Sequence, residues 1–175
     1  HTFVCRRSRD LGGIKAPLQE WEQRGDLEFI DDVEIPPSVV TGWFERMGKK
    51  YNILGIAIDH YRYTLLNDAF KKIGFDAIER KNIFLVRPSN IMLVSPIINS
   101  LFINHNIVFG DVPIMRWYVN NTKKIMDNKA NISYGKIEPN YRKTDGFMAF
   151  VNTIVIIDQI PEEINYGAIN FDVYT

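Results

Sequence analysis

The chain has 175 residues, 21 Lys and Arg against 21 Asp and Glu, and no formal net charge; 46% of the residues are hydrophobic and 24% charged. That balance excludes a disordered chain, and the length fits one domain with a sizeable core. It also removes the basic excess that usually first marks a nucleic-acid-binding protein.

No apolar run approaches the roughly 18 residues of a membrane span, so VNTIVII reads as a buried helical segment. The stretch HTFVCRRSRD has no apolar core leading to a small-residue cleavage site. A single cysteine, Cys5, excludes an internal disulfide and a cysteine zinc cluster, and the expected setting is intracellular. Charge is unevenly spread. Between positions 116 and 143, Arg116, Lys123, Lys124, Lys129, Lys136, Arg142 and Lys143 are matched only by Asp127 and Glu138, while from Asp158 onward there are acids and no Lys or Arg. The basic stretch reads either as a phosphate-facing surface or as scattered solvated side chains.

In chain order, HTFVC reads as a short strand followed by a loop rich in Arg and Gly. PLQEWEQRGDLEFI places Leu18, Trp21 and Leu27 at helical and turn spacing, with Gly25 ending a short helix. Pro36-Pro37-Ser38 opens a second helix through Val39, Val40, Trp43, Phe44 and Met47, because proline is tolerated in the first turn. ILGIAI is a continuous apolar run of strand length, the pattern of a strand covered on both faces, and it ends at Asp59. Residues 61–74 form a helix with Leu65, Leu66, Ala69, Phe70 and Ile73 inward. NIFLVR is the next strand, and Ser89 to Phe102 resumes helical spacing, with Pro96 obscuring its start. IVFG reads as a short strand, PIMRWYVNN as a helix, ANISYGKIEP as a hairpin or irregular β segment, and residues 144–157 as the last helix. No repeat or linker divides the chain. The alternation gives an α/β domain with crossover helices, whose ligands gather at the carboxyl ends of strands.

Asp59 and Asp145 both stand where a strand or loop hands over to a helix. Each could simply cap its helix, yet a carboxylate can cap with one oxygen and bind a hard divalent cation with the other. Gly146 and Ala149 beside Asp145 allow another surface to approach closely. Lys136 and Lys143 read either as solvated or as holding a scissile phosphate. Asn121 reads as a ligand-orienting or, more simply, a helix-end residue. His60 and His105 form no metal-binding spacing, Trp21, Trp43 and Trp117 read as core, and Cys5 reads as a buried strand residue. No P-loop motif occurs.

Taken in order, PLQEWEQRGDL, YNILGIAIDHY, SPIINSLF, GDVPIMRWYVNN and KTDGFMAF resemble the carboxyl-terminal nuclease domain of phage large terminase subunits, over about residues 17–155. The resemblance implies an RNase H-like fold, a mixed sheet flanked by helices, and a two-metal-ion endodeoxyribonuclease that uses Mg2+ or Mn2+ to cut concatemeric double-stranded DNA during packaging. Through it, Asp59 matches the acidic residue ending the second conserved strand and Asp145 the aspartate of the Asp-Gly element, both metal ligands. Lys136 matches a lysine often found shortly before that element, which gives it a catalytic role.

Two departures accompany the resemblance. The family's first catalytic aspartate lies on a strand upstream of the one that HTFVC resembles, so residues 1–175 are expected to be a single nuclease domain truncated at its amino terminus, lacking its first strand or strands and weakly active or inactive alone. Phe109 stands where many relatives carry His. The family also implies an amino-terminal ATPase motor in the parent protein, double-stranded DNA, a small terminase subunit and a portal as partners, and the host bacterial cytoplasm as location, with no membrane. An exposed sheet edge would invite self-association. Two rival readings stay open: a catalytically silent α/β scaffold or DNA-binding module in which both aspartates only cap helices, and another RNase H-like nuclease such as a resolvase.

Overall fold

Prolines open three of the helices. The computed structural model describes residues 1–160, and the later acids Glu162, Glu163 and Asp172 lie outside the described residues. Pro37, Pro88 and Pro113 are the first residues of α2 (Pro37–Gly48), α4 (Pro88–Ile103) and α5 (Pro113–Asn120), where a missing N–H leaves no bond unmade. The remaining helices are α1 (Leu18–Gln23), α3 (His60–Lys72) and α6 (Asp145–Ile156). Pro96 lies inside α4, where its absent N–H would have bonded the Met92 carbonyl. The buried Ser95 hydroxyl donates to that carbonyl at 3.1 Å, so the helix continues through the proline.

Strand pairing is mixed, and it is distributed over three two-stranded ladders. β1 (Thr2–Cys5) runs parallel to β2 (Leu27–Ile30), and β3 (Ile56–Asp59) parallel to β4 (Ile83–Val86), with Asp59 opposite Val86. Each parallel pair is joined by a helical crossover, α1 or α3, as parallel strands require. β5 (Thr122–Met126) and β6 (Ile132–Lys136) form an antiparallel hairpin whose turn is held by Asp127, which accepts the Lys129 and Asn131 amides.

Two apolar clusters hold these elements. Trp21, Leu27, Ile98, Ile114, Tyr118, Phe147 and Val151 fill the space among α1, β2, α4, α5 and α6. Ile56, Ile58, Phe70 and Ile83 join β3 and β4 to α3, with Val40 and Phe44 of α2 packed against them. α6 contacts β3 and β4 as well as α4 and α5, so its position is fixed from several sides.

Two sequence expectations need correction, and two strands lie where local patterning marks none. LEFI and TKKIM, to which local patterning assigns no element, are strands: LEFI pairs with the distant β1, and TKKIM folds back on β6 across the Asp127 turn. IVFG is not a strand: no segment among the described residues pairs with it, Gly110 has a φ of 62°, and Arg116 anchors the Gly110 carbonyl at 2.6 Å. Leu65 points outward, because the inward stripe of α3 is Tyr63, Leu66, Phe70 and Ile73.

Candidate active-site cleft

The residues around α6 build a cleft from buried polar links. Asn121 follows the last residue of α5 and is completely buried. Its side-chain amide donates to the Lys143 carbonyl at 3.1 Å, its side-chain oxygen accepts from Arg142 at 3.0 Å, and its own carbonyl accepts the Ile137 amide at 2.8 Å. One residue, through its side chain and its carbonyl, thus ties the end of β6 to the start of α6, the two segments carrying Lys136 and Asp145. The helix-end reading of Asn121 is correct: it caps α5, and its side chain is committed to these internal bonds.

A cleft of about 630 Å³ opens over this junction. One wall is β1, from Thr2 to Cys5, and the apolar floor includes Leu18, Trp21, Ile114 and Trp117. Lys136, Lys143, Asp145 and Gly146 line it, together with Asp10 and Arg62. Lys143 Nζ lies 3.4 Å from Asp10 Oδ2. Asp145 is exposed and, among the described residues, has no hydrogen bond or ion pair. Lys136 is half-buried at the last position of β6.

Tyr118 marks how close this charge lies to the core. Its hydroxyl is 3.2 Å from Thr2 Oγ1. Burial pushes its phenol up to about 12; the Thr2 hydrogen bond works in the opposite direction, and the Asp145 charge adds to the rise.

Asp59 ends β3, and its Oδ1 accepts the Tyr61 amide at 2.8 Å. The capping reading therefore holds, and Oδ2 has no partner among the described residues. Asp59 does not itself line the cleft. Arg62, three residues on, does, and α6 packs on β3. The structure thus brings Lys136, Lys143 and Asp145 into one cavity and leaves Asp59 on the neighbouring strand end. Among the described residues, no group of three or more His, Cys, Asp or Glu side chains could hold a metal ion.

Other candidates resolve structurally. His60 meets the Tyr61 ring edge-on, and His105 ends α4 with a φ of 54°. Trp21 and Trp117 pack edge to face at 5.6 Å in the core, while Trp43 stacks on His1. Phe109 joins Phe102 and Phe150 in an aromatic group. Burial raises the Cys5 thiol, with Asp32 and Glu34 adding to the effect, so its thiolate is disfavoured. Sequence reading missed Asp10, Arg62 and Tyr118. Arg62 could have been found from its place one helical turn beyond Asp59; the pairing of Asp10 with Lys143 has no local signal.

The backbone arrangement matches the crystal structure of the HK97 bacteriophage large terminase with a TM-score of 0.73 over 87% of this chain. The chain shares the fold of part of that protein. Sequence identity is 17%, and the chain spans 32% of the length of that terminase. No family model and no curated protein matches the chain. None of the helices among the described residues is long and apolar enough to cross a membrane.

Proposed function

We propose that the chain is the metal-dependent endonuclease domain of a viral DNA-packaging terminase, acting on concatemeric double-stranded DNA. The observation carrying this reading is the meeting of Asp145, Lys136 and Lys143 in one cleft of a terminase fold. Asp59 and Asp145 would bind Mg2+ or Mn2+ through carboxylate oxygens. Hard cations of this kind are commonly held by one or two carboxylates plus substrate phosphate, which fits a site without an all-protein cage. Such ions supply an activated water and stabilise the leaving oxygen. Lys136 and Lys143 hold the phosphate and offset its developing charge. Contacts of this type position DNA without reading its bases.

On this reading the parent protein would also carry an ATPase motor and meet a small subunit and a portal in the bacterial cytoplasm. Each ladder has two strands, so an uncovered strand edge would invite self-association. One rival keeps a specific observation of its own: Asp59 caps α3, as a silent scaffold would have it. The test is cleavage of linear duplex DNA with Mg2+ or Mn2+ by a chain extended upstream of His1. Asp59→Asn and Asp145→Asn are expected to abolish cleavage without lowering the unfolding midpoint, whereas unchanged cleavage in both refutes the mechanism. Preference for branched DNA would move the reading to a resolvase.

A further inference from the structure

Of the arginines among the described residues, Arg62 alone lines the cleft. Arg6 is paired with Glu22, Arg7 with Asp31, Arg24 with Asp26 and Asp111, and Arg142 with Glu138. Arg62 is exposed and has no hydrogen bond or ion pair among the described residues, although it lines the cleft that holds Lys136, Lys143 and Asp145. It projects from the first turn of α3, at the positive end of the helix dipole, where a cation is disfavoured unless an anion joins it. Lys143 is already engaged by Asp10, so Arg62 and Lys136 carry the uncommitted positive charge of the cavity. Apolar floor residues such as Trp21 and Trp117 exclude water beneath them and strengthen the field.

We propose that Arg62 is a positioning residue for a nucleic-acid phosphate: its guanidinium takes two phosphate oxygens from the α3 side while Lys136 and Lys143 hold the strand from the β6 and α6 side. A planar fork with fixed N–H directions suits that bidentate contact better than an ammonium. The identity of the phosphate as DNA rests on the nuclease reading. In the sequence Arg62 is marked only by its place one helical turn beyond Asp59; the cavity supplies its neighbours.

The test is the affinity of the 175-residue chain for a fluorescently labelled DNA duplex, measured by anisotropy across a series of KCl concentrations without divalent metal. Arg62→Ala is expected to reduce the slope of log affinity against log salt by about one, the signature of one lost phosphate contact. Arg62→Lys should keep the slope and weaken binding; Lys50→Ala, remote from the cleft, should keep both. An Arg62→Ala chain with wild-type slope and affinity overturns the proposal, as does absence of duplex binding by the wild-type chain. If Lys136→Ala lowers the slope while Arg62→Ala does not, Arg62 alone is misassigned and the cleft still meets DNA. Loss of metal-dependent cleavage in the Asp→Asn variants reports separately on the nuclease reading. Because Arg62 is exposed, its variants should unfold at the wild-type midpoint.

Discussion

The ring of Tyr118 rests directly on the backbone of Gly146. A Cβ built on Gly146 would overlap Tyr118 Cδ2 and stand 2.9 Å from Met115 Sδ. This contact lets α5 seat the first turn of α6, and with it Asp145, against the core.

Gly146→Ala should therefore destabilise the protein. Helix propensity alone would favour alanine by up to about 1 kcal/mol. The Tyr118 ring, 4% exposed, has little room to yield, and overpacking of this kind costs about 1–3 kcal/mol. Urea unfolding is expected to show a lower midpoint for the variant, and an increase would mean that the ring moves freely.

The buried Tyr118 phenol makes stability sensitive to alkaline pH. Its pKa in the folded protein is raised to about 12 from the ordinary 10.0. Folding thus favours the neutral phenol, so its contribution is fully present below the unfolded value and is lost as pH rises from there through the folded value. At about 1.4 kcal/mol per unit, this amounts to roughly 2–3 kcal/mol. Tyr118→Phe should flatten that alkaline limb in denaturation measured across this range; an unchanged limb would assign the loss to other groups.

Asp10 competes with any phosphate for Lys143. The pair is 3.4 Å apart with Asp10 largely exposed, and pairs of this kind contribute about 0–1 kcal/mol. Asp10→Asn should accordingly leave stability within about 0.5 kcal/mol while tightening duplex DNA binding at low salt. Weaker binding in the variant would instead place Asp10 among the groups that organise the cleft.

Local chemistry made much of this fold legible. Pro37 and the stripe through Val40 and Phe44 announced α2, and the apolar run before Asp59 announced β3. LEFI escaped because it is short and its partner is distant, Leu27 pairing with Thr2; TKKIM escaped because it is exposed and Lys123 and Lys124 break any apolar alternation, although its partner is the next strand of the same hairpin. IVFG misled for the opposite reason. Its β-like composition serves side-chain packing, with Phe109 against Phe102 and Phe150, and not a ladder. In the cleft, Asp145 and Lys136 could be read from the Asp-Gly element and the lysine before it. Asp10 could not, since only the folded chain brings it across 133 positions to Lys143.

The central claim, that Asp59 and Asp145 serve one metal-binding site, is tested most directly by paramagnetic broadening of backbone amide signals when Mn2+ is added in small amounts to the isotopically labelled chain. The account expects the amides around Asp59 to Arg62 and around Thr144 to Gly146 to broaden together, and Asp59→Asn or Asp145→Asn to abolish broadening at both places. Broadening confined to one aspartate, or scattered over surface carboxylates and indifferent to either substitution, would contradict it.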